Sequence, residues 1–127
     1  MQPALEVALP PYEHPRNAWR ARIHAAAATA MEAAGITYSS SDWLAVDVQL
    51  VMTEPMLRFH DVDNRLKDIL DALQARIGGP KKVRILAPLV PNDFQVVQAT
   101  VEKVIGDVSG GRLTIRLVNG SARVPSN

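Results

Sequence analysis

Residues 43–52, Trp-Leu-Ala-Val-Asp-Val-Gln-Leu-Val-Met, and residues 61–77, Asp-Val-Asp-Asn-Arg-Leu-Lys-Asp-Ile-Leu-Asp-Ala-Leu-Gln-Ala-Arg-Ile, lie close together in the chain and carry two different periods. In the first, Leu44, Val46, Val48 and Leu50 alternate with Ala45, Asp47 and Gln49, the pattern of a half-buried strand. In the second, Val62, Leu66, Ile69, Leu70, Leu73 and Ile77 recur at three- and four-residue steps. That spacing makes one apolar stripe on a helix, opening at Asp61–Asn64 and ended by Gly78-Gly79-Pro80. A strand with one apolar face and a helix with one apolar stripe bury those surfaces against each other, so the pair already points to an α+β layer.

The flanking sequence extends this layer. Upstream, Trp19, Ile23, Ala26, Ala27, Ala30, Met31 and Ala34 keep helical spacing between Pro15 and Gly35, which predicts a first helix over about 15–34. Its opposite side carries Arg16, Arg20 and His24 in one stripe, read as pointing away from the packed face. Ala4–Leu9, before Pro10-Pro11, reads as a short strand. Downstream, Lys81–Pro91 has no clear period and reads as a long loop. Phe94–Ile105 alternates again, and the paired glycines in 106–111 predict a hairpin into Leu113–Val118. The expected order is strand, helix, strand, helix, hairpin. This makes one domain over 1–120, a mixed sheet of about four strands with two main helices, and a frayed tail over 121–127.

Composition narrows the partners. The 127 residues are 47% apolar, enough for one core and too few for two. The formal net charge is only +1, so a polyanion has to be met by a local patch. No apolar run reaches the ~18 residues of a membrane span, and the start lacks an export pattern, so a cytoplasmic location is expected. With no cysteine, thiol nucleophiles and thiolate zinc sites are excluded. Two Trp, two Tyr and two Phe supply a single-strand stacking platform poorly, which favours double-stranded or branched nucleic acid over single strands.

The chemistry concentrates in Asp61 to Asp71 and in Asn92-Asp93-Phe94-Gln95-Val96. Asp63, Lys67 and Asp71 are four residues apart and form one slanting stripe along the margin of the helix's apolar face. Asp61 lies in the segment feeding the helix, and Asp93 at the entrance of the next strand. Carboxylates brought together repel unless a cation sits among them, and oxygen ligands without Cys or His select magnesium or manganese over zinc. Magnesium keeps waters and favours phosphate oxygens, so few carboxylates beside a lysine suit phosphodiester hydrolysis, with Lys67 stabilising developing charge. The alternatives are ordinary structural roles. Asp61 or Asp63 can cap the helix, Asp71 can be a solvated face residue and Asp93 a turn residue. A calcium loop is excluded because its sixth position is Leu66 rather than Gly and its twelfth Ala72 rather than Glu. His14, His24 and His60 share no ligand spacing.

The run Asp-x-Asp-Asn-x-x-Lys-x-x-x-Asp-Ala-Leu from Asp61, followed by Asp-x-Gln-Val from Asp93, resembles the RusA-type Holliday junction resolvases. Leu9-Pro10-Pro11 and Gly110-Gly111-Arg112-Leu113 extend the resemblance over most of the chain. It implies a homodimer that cuts four-way DNA junctions symmetrically with Mg2+, for which Mn2+ substitutes. The metal would be held by Asp61, Asp63 and Asp93, with Lys67 as the essential lysine and Asp71 as a supporting acid. Asn92 stands where the family often has a second acid, and 77–91 is longer than usual, bringing in Lys81, Lys82 and Arg84. Setting aside Asp61, Asp63, Asp71 and Asp93 moves the formal charge from +1 to +5 per chain. Arg16, Arg20, Lys81, Lys82 and Arg84 are therefore the candidate contacts to the DNA backbone, and a DNA-associated location follows. The other readings are a junction-binding module without turnover and a nuclease for forks or flaps.

Overall fold

A computed structural model of the chain describes residues 4–77 and 87–118. The strand expected over 43–52 forms as β2 (Leu44–Met52) and lies inside a four-stranded mixed sheet of order β1-β4-β2-β3. The other three strands are β1 (Leu5–Leu9), β3 (Val96–Ile105) and β4 (Gly110–Leu117). Two long helices, α1 (Arg16–Ala34) and α3 (Val62–Leu73), cover one face, and a single-turn helix α2 (Glu54–Leu57) links β2 to α3. The domain is α+β.

The core lies between sheet and helices. Leu44, Val46, Val48, Leu50 and Met52 of β2 join Leu113 and Ile115 of β4 and Leu5, Val7 and Leu9 of β1 against Trp19, Ile23, Ile69 and Leu73. Each such aliphatic side chain contributes roughly 1.5–3 kcal/mol on burial. The buried indole of Trp19 donates Nε1–H to the Pro10 carbonyl at 3.0 Å, so the aromatic enters the core with its polar atom satisfied. Helix α1 stops where expected. Gly35 takes φ 66°, and the N–H groups of Gly35 and Ile36 close on the Glu32 and Met31 carbonyls.

Four expectations are corrected. The glycine-rich 106–111 segment does not make a hairpin: β3 runs parallel to β2 and β4 antiparallel to it, so β2 lies between them. The connection instead passes over the end of β2, where Gly106 N–H bonds the Met52 carbonyl. It needs small residues there, because a Cβ on Gly111, whose φ is 154°, would run into the Gln49 carbonyl. Second, α3 ends at Leu73 rather than near Ile77. Arg76 N–H bonds Asp71 O at 2.8 Å and Ala75 N–H bonds Ala72 O at 2.9 Å, with Ala75 at φ 61°. This is a Schellman ending built on alanine. Third, β3 begins at Val96, after a 3₁₀ turn over Asp93–Gln95. Fourth, Arg16, Arg20 and His24 do not form a solvated stripe, because α3 packs along that side of α1. His24 is buried with Nε2 2.9 Å from the Ala87 carbonyl, and both arginines turn to Asp68 of α3. The 78–80 terminator, Lys81, Lys82, Arg84 and the 121–127 tail lie outside the described residues.

Candidate functional site

Asp61 is the residue before α3, in extended conformation with φ −81° and ψ 138°. Its carboxylate makes no cap bond to the helix backbone and receives only the Asn64 amide at 3.5 Å. Asp63 and Lys67 follow on the exposed margin of α3, and among the described residues no salt bridge engages either. Asp71 lies one further turn along and pairs with Arg20 at 3.2 Å. Because α3 shows its apolar stripe to the sheet, this polar margin looks across at the start of β3.

There, the 3₁₀ turn delivers Asp93. Asp63, Lys67, Asp71 and Asp93 line one groove of about 270 Å³ together with Leu66, Leu70, Gln74 and Arg76. The sequence-derived stripe and the separate Asp93 thus meet on one surface, and Asp61 stands outside that lining at the helix start. Asp93 is loosely countered by Arg76, 3.8 Å away and half exposed. Such a surface pair is worth little and competes weakly with a ligand.

Gln95 explains why Asp93 is presented this way. Its side chain is fully buried, with Nε2 donating to the carbonyls of Ser39 and Asp42 at 2.7 Å each and Oε1 accepting from Asn92 N–H at 2.8 Å. One amide therefore fastens the Asp93 turn to the segment ahead of β2. Its polar character gave no sign of burial; the signal was only its place in the Asp-x-Gln-Val run.

A second anchor is Asp68, also missed, although it lies on the same helix. Its carboxylate is fully buried and its Oδ1 accepts from Arg16 and Arg20, with Nε at 3.0 and 2.9 Å and Nη2 at 2.8 Å in each case. Arg65 Nε stands 3.2 Å from Oδ2, out of line for a hydrogen bond. The Arg65 guanidinium lies over the Tyr12 ring at 4.5 Å and reaches His60 Nδ1 at 3.1 Å. Arg16 remains 42% exposed and, with His14, Asn17 and Arg20, lines a groove of about 320 Å³. Arg20 belongs to this basic groove and Asp71 to the acidic one, so the two grooves meet at that ion pair. The neighbouring Asp68 raises the Arg16 pKa further, which keeps the guanidinium charged.

Phe59, two residues ahead of Asp61, holds its ring 82% exposed. A further depression, of about 490 Å³, lies on the other face of the sheet. Its two carboxylates already have partners: Asp47 accepts from Thr100 and Arg116, and Glu102 accepts from Gln49. We place the site at the acidic groove.

The donor set fits magnesium in kind, since it offers exposed carboxylates and no sulfur or imidazole. Among the described residues no three acidic or imidazole side chains already converge on one point. Magnesium ordinarily takes one or two protein carboxylates and completes its shell with waters and phosphate oxygens, so a groove lined by Asp63 and Asp93 suits it. Among the described residues, no helix is long and apolar enough to cross a membrane. Comparison with protein-family models and with curated proteins returns no match.

Proposed function

We propose that the chain is a magnesium-dependent, structure-selective endodeoxyribonuclease of the RusA type, acting as a homodimer on four-way branched DNA. The observation that carries this is the meeting of Asp63, Lys67, Asp71 and Asp93 in one groove that adjoins the Arg16–Arg20 groove. Carboxylates alone repel a polyanion; beside a fixed guanidinium pair they make a metal-assisted phosphodiester site. Asp63 and Asp93 would hold the metal, with Asp61 contributing from the helix start. Magnesium, when bound, acts as a Lewis acid on the phosphate and lowers the pKa of a bound water. Water adds to phosphorus, the bond to the leaving oxygen breaks, and the proton passes to solvent or to that oxygen. Lys67 sets its ammonium against the charge that grows on the phosphate. Arg16 and Arg20 hold the adjacent backbone, with Arg20 oriented by Asp68 and Asp71. Phe59, standing out beside the helix start, offers a ring on which an unpaired base can stack.

The test is cleavage of an immobile four-way junction, a fork, a flap and linear duplex at equal concentration, with magnesium, with manganese and with chelator. Paired symmetric nicks in the junction, dependent on the metal, support the reading. Tight junction binding without nicks in either metal replaces it with the non-turnover binder, for which Asn92 in place of an acid is the motivating residue. Faster cutting of forks or flaps replaces the substrate and keeps the chemistry.

A further inference from the structure

Six large apolar side chains are exposed among the described residues, and five of them surround one strand. Val97 and Ile105 lie in β3, Trp43 and Phe94 pack edge-on at its start with ring centroids 6.2 Å apart, and Val108 follows its end. The sixth is Phe59, at the site already described. Strand β3 is also an edge of the sheet, ten residues long, with no residue of the described chain paired along its outer side.

Open edges of this length are normally blunted by proline, by projecting lysines or by being short. The other edge, β1, follows that pattern: it has five residues and runs into Pro10-Pro11. Strand β3 does not. It contains no proline, and its two charges are occupied by the chain's own groups. Lys103 Nζ is folded back onto the carbonyls of Leu57 and His60 at 2.8 and 2.5 Å, and Glu102 accepts from Gln49 at 2.8 Å. The register with β2 skips Val97, so the regular ladder runs from Gln98 to Ile105.

We infer that β3 pairs antiparallel with β3 of a second copy of this chain, about a two-fold axis at Val101. This register pairs Gln98 through Val104 of the regular ladder. It sets Val97 opposite the partner's Ile105, Ala99 opposite the partner's Lys103 and Thr100 opposite the partner's Glu102, with no like charges facing. A register centred on Glu102 or Lys103 would place that charge against its own copy, which destabilises a sheet. The antiparallel sense also carries the apolar start of one strand, with Trp43 and Phe94, to the apolar end of the other, with Val108. Such self-complementarity is what a two-fold interface demands. The result is a continuous eight-stranded sheet with all helices on one side, and the 106–109 link of each copy beside the Asp93 turn of the other. The inference names the surface for the homodimer of the proposed function and rests on that part of the reading alone, not on its chemistry.

Sedimentation of the full chain at micromolar concentration is expected to give a species of twice the 13.8 kDa chain mass. Ile105→Glu, at a side chain 66% exposed and therefore foldable, shifts it to monomer, and adding Val97→Lys in the same chain restores the dimer through two opposed charge pairs. Since the chain has no cysteine, Val101→Cys reports the axis directly: it forms a covalent dimer on mild oxidation, whereas Thr100→Cys does not. A monomeric wild type, a dimer indifferent to Ile105→Glu, or cross-linking at Thr100→Cys in place of Val101→Cys overturns the inference. None of these results depends on DNA cleavage, so failure here and failure of the nuclease reading are separate outcomes.

Discussion

Arg20 of α1 grips Asp68 of α3 through one carboxylate oxygen, with Nε at 2.9 Å and Nη2 at 2.8 Å from Oδ1. This contact joins the two long helices and aims a guanidinium along the boundary between the basic and acidic grooves. Arg16, Arg20 and Arg65 surround the buried carboxylate and offset its desolvation.

Asp68→Asn removes the charge those arginines share while keeping the shape. Arg16 and Arg65 then lose their anion while Arg20 keeps only Asp71, and the fold is expected to lose about 3–5 kcal/mol, the usual cost of breaking a buried ion pair. Urea unfolding measures it. A midpoint equal to wild type would show that the cluster contributes nothing.

The end of α3 stores a small strain. Ala75 sits at φ 61°, where a Cβ crowds the following carbonyl. Ala75→Gly is expected to raise stability by about 1 kcal/mol, because glycine suits the left-handed position of a Schellman ending. Thermal or urea unfolding reads the gain; a loss would place another role on the Ala75 methyl.

Gln95 is the fastening of the Asp93 turn. Gln95→Leu leaves the carbonyls of Ser39 and Asp42 and the N–H of Asn92 without their partner, at about 1–3 kcal/mol for each group that stays buried. Stability falls, and metal-dependent cleavage falls further than that of a variant destabilised equally elsewhere, such as Ile115→Val. Parallel losses in the two proteins would reduce Gln95 to a packing role.

His60 gives the fold a pH dependence. Burial, then the nearby Arg65 and Lys103, hold its pKa below the usual 6.5. The unfolded chain therefore binds this proton first, so stability falls as pH drops below about 6.5 and levels off once the folded imidazole also protonates. His60→Gln is expected to flatten the slope of unfolding free energy just below pH 6.5. An unchanged slope would exclude His60 as its source.

The elements bounded by sharp periods were legible in the sequence. The apolar alternation of β2, the α1 spacing ended by Gly35 and the stripe of α3 each rest on local pattern, and each is present. What was not legible came from contacts distant in the chain. Gly106–Gly111 reads locally as a hairpin, and only the insertion of β2 between β3 and β4 makes it a passage over a strand end. Arg16, Arg20 and His24 read as a polar face because charge usually means solvent, whereas Asp68, 48 residues after Arg20, draws the two arginines inward. The acidic stripe was visible from its four-residue spacing and Asp93 from its motif. Gln95 and Asp68, which position them, were not, since burial of a polar residue depends on partners that spacing does not reveal.

The most direct test of the acidic groove is the rate at which Asp63→Asn, with its fold checked by circular dichroism, cuts a synthetic four-way junction in magnesium. Asp63 is exposed and makes no salt bridge among the described residues, so the substitution leaves the fold intact and removes one charge from the acidic groove. The expected result is loss of paired nicks by at least a hundredfold with junction binding retained. Cleavage at the wild-type rate would contradict the account.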